Sequence, residues 1–280
     1  MTTLRDKALL FRSMHVPGRP LVLPNAWDVA SARIVTAAGA AAVATTSAGV
    51  SWALGYGDGD HLDRDRGLDL IARVAAAVDV PVTADVESGY APDPAGVAET
   101  VRGVLAAGAV GVNLEDSLRA GPAPLRPIPE QSERIAAARG AADTAGVPLF
   151  INARIDTHRL PGGDLAVWLK ETLARTEAYV AAGADGVFVL GALDAQAIAA
   201  LVRAVPVPVN VLAGPGTLTV PALAALGVAR VSAGSSIAEA AYGLVARAAG
   251  ELLADGTCKV LEGGLGYGAL NALLLAEPGR

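Results

Sequence analysis

Cysteine is almost missing from this chain. Cys258 is the single one in 280 residues, which excludes an intrachain disulfide and any cysteine-built zinc cluster. Histidine occurs only at His15, His61 and His158, too few and too dispersed for a histidine-rich zinc hydrolase. Lysine occurs only at Lys7, Lys170 and Lys259, none at the end of a predicted strand, so a Schiff-base aldolase is not expected. Positive charge is also short: 22 Lys and Arg, scattered along the chain, face 28 Asp and Glu for a net charge of −6. That distribution argues against a nucleic-acid footprint.

Sustained apolar runs are lacking too, although 52% of the residues are hydrophobic and only 18% charged. The uncharged stretch from Ile34 to Gly57 is interrupted by glycines and by Thr45-Thr46-Ser47, and that from Ala204 to Ala229 by Pro206, Pro208, Pro215 and Pro221. Neither supplies the roughly 20 apolar residues of a membrane span. The apolar patch after Asp6 is too short for a signal-peptide core. A cytoplasmic protein with no membrane association is expected.

What the sequence has is alternation. Eight short apolar or β-branched runs recur, at Leu21–Trp27, Ala41–Ala48, Val80–Glu87, Val110–Asp116, Pro148–Asp156, Gly186–Gly191, Val207–Ala213 and Ala229–Ser235. Ala-rich helical segments such as Asp93–Ala107, Pro129–Ala145 and Leu165–Ala182 lie between them. Apolar strands alternating with helices imply a parallel sheet covered by helices. Eight such units predict a TIM-type (β/α)8 barrel over residues 1–280 as a single α/β domain, with residues 236–280 forming a C-terminal helix extension. An open doubly wound sheet is the structural alternative, but no strand is followed by the dinucleotide fingerprint, and Gly55-Tyr-Gly57 does not complete it.

Barrel chemistry sits at the C-terminal strand ends. The polar residues there are Asn25 and Asp28, Thr45 and Ser47, Asp85 and Glu87, Asn113, Glu115 and Asp116, then Asn152, Arg154 and Asp156, Asn210, and Ser232 with Ser235. The sixth run ends apolar, in Phe188-Val-Leu-Gly191. Residues two apart on a strand share a face, so Asp85, Glu87 and Glu115 are expected to converge at one rim. Three carboxylates in one space need neutralisation, and an all-oxygen set selects a hard cation, Mg²⁺ or Mn²⁺. The bland reading is that these acids cap helices or pair with Arg154. Arg154 can clamp a carboxylate or phosphoryl group through its fork, or simply balance the acids. Ser47-Ala48-Gly49 offers small side chains and free N–H groups for an anion, or merely close helix packing.

Together these residues resemble the isocitrate lyase/phosphoenolpyruvate mutase superfamily. The resemblance runs from about Leu23 to Ser235, through LPNAWDVASARIVTAAGA, TTSAG followed by GYGDGD, TADVESGY, GVNLEDS, INARIDT, AGADGVFV and VPVNV. It implies a Mg²⁺ site with Asp85 as direct ligand and with Glu87, Glu115 and Asp60 acting largely through water. It further implies that Ser47, Ala48, Gly49 and Arg154 hold a 2-oxo carboxylate, with Trp27 and Asn210 on the substrate side. Arg154, Asp60 and Glu115 are thereby the catalytic candidates.

The departures bear on the reaction. Lyases of the superfamily carry a K-(K/R)-C-G-H loop, whereas Ser117–Arg126 here has neither Lys nor Cys. Their Glu at the end of the sixth strand falls near Leu190, and the mutase Lys-Thr-Asn stretch is missing. The expected activity is a Mg²⁺-dependent C–C lyase or decarboxylase acting through an enolate on a 2-oxo (di)carboxylic acid, oxaloacetate-like or 2-alkylmalate-like. P–C bond chemistry of the phosphonopyruvate type and non-catalytic 2-oxo acid binding are the alternatives. Tyr56, His61, His158 and Arg119 are candidates for moving the proton. The apolar segment from Leu261 to Ala276 is expected to pack on the barrel or a partner; the resemblance implies a homodimer or homotetramer with an exchanged C-terminal helix.

Overall fold

A computed structural model describes residues 2–119, 123–160, 164–191 and 193–276. Among the described residues nine parallel strands form one sheet: β1 (Leu21–Leu23), β2 (Asn25–Ala26), β3 (Val43–Thr45), β4 (Val82–Asp85), β5 (Gly111–Glu115), β6 (Phe150–Ile155), β7 (Gly186–Val189), β8 (Val209–Leu212) and β9 (Arg230–Ser232). The order β1-β9-β8-β7-β6-β5-β4-β3-β2 puts the first two strands at opposite ends of the list. They are the two halves of one predicted run, separated by Pro24, which has no N–H to give a ladder. The first half pairs with β9 and the second with β3, so the sheet closes on itself. This is the (β/α)8 barrel that the alternation predicts, and the open sheet is excluded.

The connecting helices follow the predicted segments to within about two residues, for example Pro94–Ala106, Ile128–Thr144 and Leu165–Ala181. Their starts explain several acids. Asp28, Asp93, Asp164 and Asp194 each accept a backbone N–H in the first turn of the next helix, the usual carboxylate cap. Asp28, one of the strand-end polar residues, is therefore committed to its helix.

The main core lies between barrel and helices, where Val, Ile, Leu and Ala of both layers are fully buried. A smaller cluster closes the N-terminal end of the barrel. Helix Leu4–Ser13 delivers Phe11, which packs with Leu21, Leu23, Ala44, Val110 and Phe150. His15 follows it and stacks on Phe150, with ring centroids 3.9 Å apart. Its Nδ1 lies 2.8 Å from the Phe11 carbonyl oxygen. Burial, followed by the positive charge of Arg230, lowers the His15 pKa to about 3. This histidine is a neutral core residue.

Candidate active site

Register places the side chains at the opposite, C-terminal end. Asp85 is level with Asn113, and Glu115 is level with Arg154, Phe188, Asn210 and Arg230 on successive strands. Below the rim lies a polar layer. Asn152 Nδ2 donates to Asn113 Oδ1 at 2.9 Å and to Asn210 Oδ1 at 3.1 Å, and Arg230 donates to Asn113 Oδ1 at 3.2 Å.

Asp85 ends β4. Its N–H donates to Thr45 Oγ1 at 2.9 Å, and its Oδ2 accepts from Ser47 Oγ at 2.7 Å and Ser47 N–H at 3.2 Å. Its Oδ1 is buried without a partner. Burial pushes this carboxyl above its ordinary pKa, opposed chiefly by Arg154. Glu87 does not follow the parity expected of it. The strand stops at Asp85, and Glu87 sits at φ 51° in a turn, so its direction is set by the turn. Its Oε2 accepts the N–H groups of Gly59 (3.0 Å) and Asp60, while its Oε1 is buried and unpartnered. Burial pushes the Glu87 pKa up to about 7. Asp60, also at positive φ, accepts the Ser88 N–H at 3.3 Å, so the two loops interlock.

Glu115, Arg154 and Asp156 form the charged centre. Arg154 Nη1 lies 2.8 Å from Glu115 Oε2, and its Nε and Nη2 donate to the two oxygens of Asp156 at 2.8 and 2.9 Å. Arg119 Nη2 donates to Glu115 Oε1 at 2.7 Å and lies 3.7 Å from Asp58. Burial pushes the Glu115 carboxyl above its ordinary pKa, opposed chiefly by Arg154. At Arg154 burial opposes the charge, but Glu115 and Asp156 outweigh it and lift the guanidinium pKa above its ordinary value. Asp156 in turn accepts from Ser117 Oγ, and its N–H donates to Asp116 Oδ1 at 2.9 Å.

A cavity of about 160 Å³ opens among these residues, lined by Ser47, Ala48, Asp85 and Arg154 together with Asn25, Thr46, Asp58, Asn113, Ser232, Ser235 and the apolar Phe188, Leu190 and Leu212. Of the residues singled out from sequence, Trp27, Gly49, Asp60, Glu87, Glu115 and Asn210 do not line it. A Cβ at Gly49 would lie 2.8 Å from both Thr46 Cγ2 and Trp27 Cβ, so Gly49 permits close helix packing. Asn210 belongs to the polar layer beneath. Tyr56, His61, His158 and Arg119 are outside the lining as well. Residues 120–122 of the Ser117–Arg126 loop lie outside the described residues. Sequence reasoning missed Thr46 as a lining residue, chose Asp60 of the GYGDGD segment where Asp58 lines the cavity, and assigned no role to the apolar end of the sixth run, for which the Phe188–Leu190 spacing of two was the available signal.

The phosphoenolpyruvate phosphomutase family model matches residues 11–253. The chain belongs to this family. Among relatives, the uncharacterised protein Rv1998c of Mycobacterium tuberculosis is 39% identical over 236 residues, covering 80% of this chain and 81% of its own. The 2-methylisocitrate lyase of Escherichia coli is 29% identical over 191 residues, covering 66% of this chain and 62% of the enzyme. A phosphonopyruvate hydrolase solved with oxalate and Mg²⁺ shares 25% identity at a TM-score of 0.81, over 95% of this chain and 94% of that one. The phosphoenolpyruvate mutase/isocitrate lyase superfamily thus includes lyases and hydrolases, and Mg²⁺ is bound by one of its members.

The donor set of this chain fits such an ion. Asp85, which lines the cavity, has a buried oxygen with no partner, Oδ1, and Glu87 Oε1 is a second buried orphan. Buried polar atoms without partners are costly and call for a ligand or water. Among the described residues no three of His, Cys, Asp and Glu cluster tightly enough to ligate one ion together. The fit is therefore to a cation that takes one carboxylate directly and keeps several waters, which is how Mg²⁺ binds. Among the described residues no helix is long and apolar enough to cross a membrane.

Proposed function

We propose that this chain is a Mg²⁺-dependent carbon–carbon lyase or decarboxylase acting on a 2-oxo (di)carboxylic acid, oxaloacetate-like or 2-alkylmalate-like. The observation that carries the reading is the pairing, across one small cavity, of an orphan carboxylate oxygen on Asp85 with a guanidinium on Arg154 already fixed in direction. Mg²⁺, held by Asp85 and through water by Glu87, Glu115 and Asp60, would supply a charge against which the oxo oxygen becomes an enolate oxygen. Arg154 binds the carboxylate of the substrate. Ser47, fixed on Asp85 by two hydrogen bonds, and Ala48 form the wall beside it. Glu115 keeps Arg154 turned toward the cavity. When the carbon–carbon bond breaks, its electron pair passes into the enolate, the other fragment leaves as carbon dioxide or as a carbonyl compound, and the enolate carbon then takes up a proton. The described lining offers the hydroxyls of Thr46, Ser47, Ser232 and Ser235, and solvent, as proton carriers.

The test is pyruvate or carbon dioxide release from a panel of 2-oxo diacids and 2-alkylmalates with and without Mg²⁺. Turnover that Asp85→Ala abolishes supports the reading. Tight 2-oxo acid binding with no turnover across the panel would point to a binding protein instead. The family match and the hydrolase likeness favour a second reading, P–C bond cleavage; turnover of phosphonopyruvate but not of oxaloacetate would select it.

We also infer a homodimer or homotetramer in which the C-terminal helices pack on a partner subunit. Val245, Leu253, Leu265, Tyr267 and Leu275 are all more than half exposed on the single chain, an apolar surface that a partner would cover. A monomer by light scattering would overturn this.

A further inference from the structure

The barrel mouth is divided. On β4, β5 and β6 the inward side chains at the rim are Asp85, Glu115 and Arg154. On β7 and β8 the corresponding positions are Phe188, Leu190 just beyond the end of β7, and Leu212. Phe188 is level with Arg154, Leu190 stands two residues beyond Phe188, and Leu212 stands two beyond Asn210 of the polar layer. All three line the cavity opposite the charged half. The charge balance of that cavity is equally uneven. Among the described lining residues Arg154 is the one cation, against Asp58 and Asp85. Arg154 is already shared by Glu115 and Asp156, and Arg119 is held by Glu115 and Asp58 without lining the cavity.

We propose that the substrate, beyond its 2-oxo carboxylate head and the hydroxyl-bearing carbon that would leave as an aldehyde or ketone, ends in an uncharged alkyl chain seated on Phe188, Leu190 and Leu212. The proposal rests on the 2-oxo acid reading and narrows it from decarboxylation of diacids to retro-aldol cleavage of alkyl-substituted acids. A first carboxylate is met by Arg154. A second would lie against three apolar side chains with no cation to pair it, and an unpaired charge on an apolar wall is strongly disfavoured. Size sets a further limit. At roughly 10–15 Å³ for each water-sized group, the 160 Å³ cavity accommodates a pyruvyl head and a short chain of a few carbons.

The experiment is calorimetric titration of the Mg²⁺-loaded protein with pyruvate, 2-oxobutyrate, 2-oxovalerate and 2-oxohexanoate, and with 2-oxoglutarate as the charged near-isostere of the last. Affinity is expected to rise roughly fourfold per methylene up to 2-oxovalerate, the contribution of one buried CH₂. 2-Oxoglutarate is expected to bind at least about tenfold more weakly than 2-oxohexanoate. In Leu190→Lys, at a partly exposed rim position, that order should reverse; Leu212→Lys provides a second site for the same reversal if the first variant does not fold. Tighter binding of 2-oxoglutarate than of 2-oxohexanoate by the unaltered protein would overturn the alkyl assignment while leaving the 2-oxo acid reading intact. Absence of binding by every acid in the presence of Mg²⁺ would overturn both.

Discussion

Asp156 grips Arg154 from just past the end of β6, Nε to Oδ1 at 2.8 Å and Nη2 to Oδ2 at 2.9 Å. The parallel pair fixes the plane of the guanidinium and leaves Nη1 directed to Glu115. Asp156 is therefore the positioning residue for the proposed carboxylate clamp. Asp156→Asn keeps the shape but loses the charge-assisted acceptance. The expected result is a KM for the 2-oxo acid raised about tenfold, with kcat changed less than about threefold. Arg154→Lys, which cannot reproduce the fork, should cost more in kcat/KM. Steady-state kinetics on both variants, with circular dichroism to confirm folding, checks this.

Asp85→Asn separates the metal role from the fold. Ser47 can still donate to the amide oxygen, and the burial that raises the Asp85 pKa no longer acts on a charge. The unliganded variant should melt at the same temperature as the parent or higher. The rise in Tm that saturating Mg²⁺ brings to the parent, equivalent to about 2.7 kcal/mol at a hundredfold excess over Kd, should vanish. Differential scanning fluorimetry across a Mg²⁺ titration reads both effects, and an unchanged Mg²⁺ response would contradict the assignment.

His15 gives a pH dependence with a definite sign. Its folded pKa of about 3 is below the ordinary value near 6.5, so between these limits the unfolded chain holds more protons. Stability is full above about pH 6.5 and falls as pH drops toward 3, at up to about 1.4 kcal/mol per pH unit. In His15→Phe, which keeps an aromatic ring against Phe150, this contribution is removed. Urea denaturation at pH 7 and pH 5 should show a smaller loss of stability in the variant than in the parent.

Arg175 holds a buried acid. Its Nη1 donates to Asp116 Oδ2 at 3.0 Å, and Tyr179 donates to the same oxygen at 2.9 Å. Asp116 is fully buried. Arg175→Met leaves that carboxylate without its cation and should destabilise the protein by about 3–5 kcal/mol, whereas adding Asp116→Asn should restore most of the loss. Chemical denaturation of the single and double variants measures the coupling.

The fold was legible because each buried parallel strand reads as an unbroken apolar run, and each of the eight runs became a strand. The break at Pro24 turned one of them into two. The charged centre was legible in part. Arg154 and Asp156 meet as the spacing of two predicts, although Asp156 is one residue past β6, whereas past the end of β4 a positive φ redirects Glu87. Ser47 was found among the strand-end residues, but its bond to Asp85 is a long-range contact that no local pattern encodes. Phe188, Leu190 and Leu212 were passed over because apolar residues at a strand end are indistinguishable in sequence from core; only closure of the barrel turns them toward the cavity.

The break at Pro24 also gives the barrel a seam. β2 meets β3 only at Asn25–Ala44 and Ala26–Thr45, and β1 meets β9 over Leu21–Leu23, whereas β5 and β6 are laddered from Gly111–Phe150 through to Glu115–Arg154. Local opening follows the weakest pairing, so backbone amides of Leu21–Ala26 should exchange with deuterium before those of the β5–β6 ladder. Opening is thus expected first along such short ladders while the β5–β6 ladder bearing Glu115 and Arg154 stays shut, and thermal fluctuation is kept away from the charges whose geometry matters most.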